Sequence, residues 1–288
     1  MNNLLTRLPK YLRRFGLVDG LRLGFEIERR QPVDRTRRNA YRVPRLGAPV
    51  NLRRTVADHS IFWQCLVMEQ YDIDRFPHSR RLDEAYHAEV MAGRSPVIVD
   101  CGANVGLSVL WFARRFPKAT IVAVEPDEQN FEMLRANTLH LGDQVRCVCG
   151  GVWSERATLK IENPDSGSAA FRVRPVHAGE EGSITAYSVA DLRSRGGNGL
   201  LLIVKIDIEG SQAALFDANV DWVGEAHLIT LELDDWLMPW AGTSRSFFAC
   251  LSRYPFEYLL GGESVFCFRD QLAPEMPAIA EPRDPAAR

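Results

Sequence analysis

Val97-Ile-Val-Asp-Cys-Gly-Ala-Asn-Val-Gly106 runs three β-branched residues into an acidic residue and two glycines, and Leu107-Ser-Val-Leu-Trp-Phe-Ala-Arg-Arg-Phe116 follows at once. The first part predicts a short strand buried on both faces, the second a helix with a broad apolar stripe. Between them the glycines supply a tight turn that a ligand can approach closely. A second apolar run, Thr120-Ile-Val-Ala-Val124, ends in Glu125, 19 positions beyond Gly106. An acidic residue closing the second strand, about 20 residues after a glycine-rich first turn, is how doubly wound folds hold a ribose by its hydroxyls.

The turn departs from the dinucleotide pattern G-x-G-x-x-G, because Asn104 stands where a middle glycine is expected and Asp100 precedes the first glycine. Asn tolerates a left-handed backbone better than other non-glycine residues, so the turn survives. An acidic residue ending strand one repels a pyrophosphate and suits a ligand with an amino group and no phosphate. That points to S-adenosylmethionine (SAM) rather than NAD. A dehydrogenase or other nucleotide-binding α/β enzyme is the alternative within the same fold class. A non-catalytic SAM-fold binding subunit is the alternative outside catalysis.

Downstream, Asp127 is placed to cap a helix through Phe131, Leu134 and Asn137, and Val145-Arg-Cys-Val-Cys149 predicts a third strand. Short alternating runs between about residues 155 and 188 predict an antiparallel insertion. The αβ alternation resumes at Leu200-Leu-Leu-Ile-Val-Lys-Ile-Asp-Ile-Glu-Gly210. Here Lys205, Asp207 and Glu209 recur at every second position, at the carboxyl end of a buried strand. Charges on one side of a central strand are costly without a purpose, and carboxyl ends are where such sheets bind ligands. Ala226-His-Leu-Ile-Thr-Leu-Glu-Leu233 predicts another strand, with Glu232, Asp234 and Asp235 at its end; Phe256 to Phe268 predicts a hairpin across Gly261-Gly262.

Upstream, residues 1–54 carry 14 Lys+Arg against 4 Asp+Glu, while the whole 288-residue chain has a net charge of −2. The extension is therefore a basic arm on an acidic body. Leu4, Leu5, Leu8, Tyr11, Leu12 and Phe15 alternate with Arg7, Lys10, Arg13 and Arg14, a basic amphipathic pattern broken early by Pro9. Packing of its apolar stripe on its own domain is favoured, and peripheral contact with an anionic membrane or a protein is the alternative. Residues 29–54 read as an irregular connector, Asp58 as the cap of a helix through Ile61 to Met68, and Leu82 to Met91 as a further helix. Six cysteines without disulfide spacing, no apolar run of membrane-spanning length and no apolar leader give the expectation of a reduced, cytoplasmic protein.

Asp100-Cys-Gly-Ala-Asn-Val-Gly106, Val124-Glu-Pro-Asp-Glu-Gln-Asn-Phe131 and Val204-Lys-Ile-Asp-Ile-Glu-Gly210 together resemble the FkbM family of SAM-dependent methyltransferases, over about residues 58–268. The resemblance implies an α/β, Rossmann-like class I methyltransferase fold: a seven-stranded, mostly parallel sheet with an antiparallel C-terminal hairpin. It divides the chain into a basic extension (1–54), a methyltransferase domain with a helical cover and β insertion (55–272), and a disordered tail (273–288). It implies methylation of oxygen on a sugar, glycan or natural-product acceptor. Without an aromatic N-P-P-[YF]-type motif no nucleic acid is expected, and no metal is expected either, a Mg²⁺ on Asp207, Glu232, Asp234 and Asp235 being the alternative. Asp100, Gly102, Asn104 and Gly106 would surround the methionine part of SAM, Glu125 would hold the ribose with Asn130 nearby, and Asp207 and Glu209 would flank the reacting groups, with Lys205 beside them. Asp207 and Glu209 are both candidates for the general base. The chain departs from its relatives in having Gln212 where Glu is frequent, and Glu232-Leu-Asp-Asp235 where a histidine often follows the glutamate.

Overall fold

The computed structural model describes residues 4–28, 34–161, 173–176, 184–208, 211–233, 235 and 239–270. Glu209, Asp234, most of the loops of the β insertion and the expected tail lie outside the described residues. In chain order the structure comprises α1 (Leu4–Glu28), β1 (Asp34–Tyr41), β2 (Val50–Arg54), α2 (Val56–Phe62) and α3 (Ser79–Met91). The α/β body follows: β3 (Val97–Cys101), α4 (Leu107–Arg115), β4 (Thr120–Glu125), α5 (Glu128–Thr138) and β5 (Val145–Cys149). Then come β6 (Gly151–Val152), β7 (Ala157–Ile161), β8 (Val173–Pro175), β9 (Ile184–Tyr187), α6 (Val189–Gly196), β10 (Leu201–Ile206) and α7 (Gln212–Leu215). The chain closes with β11 (Leu228–Glu232), α8 (Arg245–Leu251), β12 (Phe256–Gly261) and β13 (Ser264–Arg269).

The main sheet has seven strands in the order β12-β13-β11-β10-β3-β4-β5. Strands β3, β4, β5, β10 and β11 run parallel, and β13 enters antiparallel between β11 and β12. This is the sheet implied by the resemblance. The terminal hairpin turns one residue later than the sequence suggested: Gly261 pairs with Ser264, and Gly262, at φ +66°, takes the left-handed turn position. The insertion forms its own four-stranded sheet, β6-β9-β7-β8.

Strand alternation divides the core into two layers. Val97, Val99, Cys101, Val204 and Ile206 face one layer under α6, α7 and α8. Ile98, Ile203 and Leu228 face the other, which also takes in Phe112, Leu134, Tyr11, Leu23, Val50 and Leu52. The extension therefore packs into the same core as the sheet, the outcome favoured for its apolar stripe. Residues 34–54 correct the expectation of an irregular connector: β1 and β2 pair antiparallel, and Asn137 fastens β2 by accepting from Asn51 N and donating to Asn51 O. The cap of α2 is Thr55, whose Oγ1 accepts from Asp58 N, and not Asp58 itself. All six cysteines are free. No helix among the described residues is long and apolar enough to cross a membrane.

Candidate active site

The turn after β3 places Gly102, Asn104 and Gly106 at φ +83°, +49° and +88°. Gly102 has a second reason to be glycine. A Cβ there would lie 1.9 Å from the carbonyl oxygen of Asp207, so the chain leaving β10 presses directly onto the turn. Asp207 N donates to Cys101 O at 3.0 Å, which carries the parallel ladder up to this crossing. The glycine turn and the end of β10 are thus one rigid unit.

Beneath that unit lies a polar row. Asp100, Lys205 and Thr230 are register neighbours on three adjacent parallel strands, and all three are buried. Lys205 Nζ sits 3.1 Å from Asp100 Oδ1 and 3.4 Å from Asp207 Oδ2, and donates to Gly102 O at 2.6 Å. Ser108 Oγ, on the second residue of α4, donates to Asp100 Oδ2 at 2.6 Å. Burial alone would lower the Lys205 pKa, but Asp100, then Tyr71 and Asp207, outweigh it and hold the ammonium well above its usual value. One cation therefore ties the turn, the base of β3 and the exposed end of β10 together. Thr230 Oγ1 is buried without a hydrogen-bond partner, and it faces a narrow cleft lined also by Gln70, Tyr71, Lys205, Asp207, Glu232 and Ser264.

At the end of β4, Glu125 is almost wholly buried and accepts from Asn104 N (2.9 Å), Asp127 N (3.1 Å) and Asn130 Nδ2 (3.3 Å). Burial raises its pKa to about 7 against those three donors. Asp127 caps α5 as the sequence indicated, its side chain accepting from Asn130 N. Asn130 is itself held from behind, since Arg53 Nη2 donates to its Oδ1 at 2.6 Å and Arg53 pairs with Asp58 at 2.8 Å. The chain Asp58–Arg53–Asn130–Glu125 was not visible in the sequence, because Arg53 lies in the stretch read as a connector. The only signal was the Val50/Leu52 alternation, too short to set a strand apart from a loop.

A five-strand parallel run with a glycine turn on its middle strand, an acidic residue closing the next strand and Asp207 across the crossing point is now in place. Residues 100–235 match the methyltransferase FkbM domain. The stretch that carries the site is thus similar to an FkbM methyltransferase domain. Methyltransferase sdnD of Sordaria araneosa is 39% identical over 70 residues, which is 23% of this chain and 27% of that protein. The match thus spans about a quarter of that relative's length. Among solved structures, a methyltransferase from Pyrococcus furiosus is 15% identical with a TM-score of 0.32, covering 60% of this chain and 75% of its own. The precorrin-6y C5,15-methyltransferase of Geobacter metallireducens GS-15 is 13% identical with a TM-score of 0.33, covering 68% and 92%. At such scores the strand order above, not the superposition, carries the fold.

The FkbM match implies SAM as the cofactor, and the donor set fits it. Two carboxylates, Glu125 and Asp207, end adjacent parts of the sheet on either side of the turn. The nearest cations, Arg53 and Lys205, are already engaged by Asp58 and Asp100. Such a site suits a diol and a positive sulfonium rather than a pyrophosphate. One sequence expectation needs correction. Asp100 was expected beside the methionine part, but its carboxylate is fully buried on Lys205 and Ser108, so it acts from beneath the turn. Asn130, expected near the ribose, donates to Glu125 at 3.3 Å. Gly102, Asn104 and Gly106 form the turn as expected. Gln212, at the position where relatives often carry Glu, is buried and donates to Glu232 O at 2.6 Å, fixing α7 to the end of β11.

Proposed function

We propose that the chain is a SAM-dependent O-methyltransferase acting on a hydroxyl of a sugar, glycan or natural-product acceptor. The observation that carries this reading is Asp207: an accessible carboxylate fixed at the crossing of β10 and the glycine turn, with a buried cation behind it. When bound, SAM supplies a methyl group already activated for displacement. The protein must then align a nucleophile, exclude water and take a proton. Asp207 takes the hydroxyl proton; Lys205, 3.4 Å away, holds that carboxylate in place. Glu125 orients the ribose, and Asn104 N, Asp127 N and Asn130 orient Glu125. The recess beside Asp207 is lined by Thr230, Ser264, Gln70 and Glu232, groups that pair with hydroxyls, and its cation, Lys205, is already held by Asp100. Calorimetric titration with SAM, S-adenosylhomocysteine, NAD and ATP tests the cofactor. S-adenosylhomocysteine release over a panel of glycosides and phenols then tests the acceptor class. Tighter binding of NAD than of SAM would overturn the reading.

Glu125 gives that titration a pH signature. An ionised carboxylate accepts from both ribose hydroxyls, whereas the protonated form must first lose its proton. SAM affinity is therefore expected to rise as pH increases through about 7. Folding stability moves oppositely. Between the ordinary glutamate value and about 7, the native state keeps a proton that the unfolded chain has lost, so this contribution fades as pH rises through that window. Glu125→Gln should flatten the affinity profile, and Glu125→Ala should weaken SAM roughly 10- to 100-fold, the worth of about 1.5–3 kcal/mol for hydrogen bonds to a charged group. Equal profiles for wild type and Glu125→Gln would remove Glu125 from the ribose site.

A further inference from the structure

Helix α1 is two helices folded back on each other. Gly16, at φ 79° and ψ 178°, breaks it, and Arg7 Nη1 and Tyr11 OH on the first half both reach Glu28 on the second. A Cβ on Gly20 would meet the backbone of Tyr11 and Leu12 within 3 Å, so the halves cross in close contact. Tyr11, Leu23 and Ile27 are buried in the body, which anchors the hairpin. Its tip points the other way. Leu17 and Val18, immediately after the break, are 69% and 79% exposed.

Single exposed apolar residues are ordinary. Two in succession, at a glycine-enforced turn on an anchored hairpin, are not needed for the fold. Lys10 and Arg13, on the solvent side of the first half, are exposed and have no carboxylate partner among the described residues. Arg45 is exposed and lies within electrostatic range of Arg14, two residues before the break. Arg14 connects this tip to the active site: its Nη2 pairs with Glu69 at 2.6 Å and its Nε donates to Leu66 O. Gln70 and Tyr71, which line the recess beside Asp207, follow directly.

We propose that the α1 hairpin tip docks on an anionic lipid surface, Leu17 and Val18 entering the interface while Lys10, Arg13 and Arg45 meet the headgroups. The apolar pair and the basic rim are the two halves of an interfacial anchor, and neither alone gives stable binding. The inference rests on the hairpin and stands apart from the proposed methyl acceptor.

Flotation of the full chain with vesicles of equal parts phosphatidylcholine and phosphatidylglycerol, against phosphatidylcholine alone, tests it at low and raised salt. The chain should float with the anionic vesicles only, and raised salt should release it. Lys10→Ala and Arg13→Ala should each weaken partitioning about fivefold. Leu17→Ser with Val18→Ser should weaken it at least about tenfold, with unfolding and SAM binding unchanged. The proposal fails if the chain floats with neither vesicle, if it floats equally with both, or if the Leu17/Val18 double variant floats like wild type. It also fails if the tip is found cross-linked between two copies of the chain in solution while vesicles leave it unbound.

Discussion

Lys205→Met should lower the free energy of unfolding by about 3–5 kcal/mol, the cost of leaving one member of a buried ion pair without its partner. Lys205 and Asp100 are 2% and 0% exposed, so water cannot replace the lost ammonium. The substitution keeps most of the side-chain volume, which separates the electrostatic loss from a cavity. It also strips Gly102 O of its donor and Asp207 of its neighbouring cation. Asp100→Asn leaves the opposite orphan, a buried ammonium that keeps Asp207, the Gly102 carbonyl and the Tyr71 ring but loses its nearest charge. The double variant removes both charges and should recover much of the loss, because two neutral polar or apolar groups need no counter-charge. Urea unfolding of the four proteins measures the coupling. Losses that add to within about 0.5 kcal/mol would show that the pair is not coupled and that the row is held by packing.

The sequence carried this site unevenly, for physical reasons. The parallel strands were legible because burial on both faces leaves apolar runs such as Ile203-Val204, and because the glycines of the turn answer to backbone geometry that few other residues satisfy. The i, i+2 spacing of Lys205 and Asp207 did mark the strand end where a lysine meets two carboxylates. What it could not reveal is that the two point into different environments: Lys205 is sealed against Asp100, and Asp207 opens to solvent. That difference depends on register with β3 and β11, which are separated in sequence from β10 by about a hundred residues and by one helix respectively. Thr230 was hidden for the same reason, as a β-branched residue in an apolar strand reads as ordinary sheet filler.

The extension was harder still. Arg53 and Asn51 look like any polar residues of a basic, proline-punctuated arm until β2 is laid against α5. Only then do Arg53–Asn130 and Asn51–Asn137 appear, joining the arm to Glu125 and, through Asn137 Nδ2 and Val105 O at 2.8 Å, to the glycine turn. Composition described the arm as basic. Its arginines are in fact divided between those spent inside the protein, such as Arg7, Arg14 and Arg53, and those left facing outward, such as Arg13 and Arg45.

Asp207→Asn should reduce methyl transfer by about 10²- to 10⁴-fold, the usual cost of a missing general base. The substitution is isosteric, and the backbone of residue 207 stays fixed by its bond to Cys101 O and its contact with Gly102. The side chain is 39% exposed, so the amide is readily solvated and the fold should persist. SAM affinity should change little, since Glu125 and the turn are untouched. S-adenosylhomocysteine release, measured with whichever acceptor the panel identifies, reads the rate. Glu209→Gln is the necessary control, because Glu209 was the rival base in the sequence. A dead Glu209→Gln beside a near-normal Asp207→Asn would transfer the role to Glu209. Full activity in both would place the base on another element, with Glu232 at the rim of the recess the next carboxylate to replace.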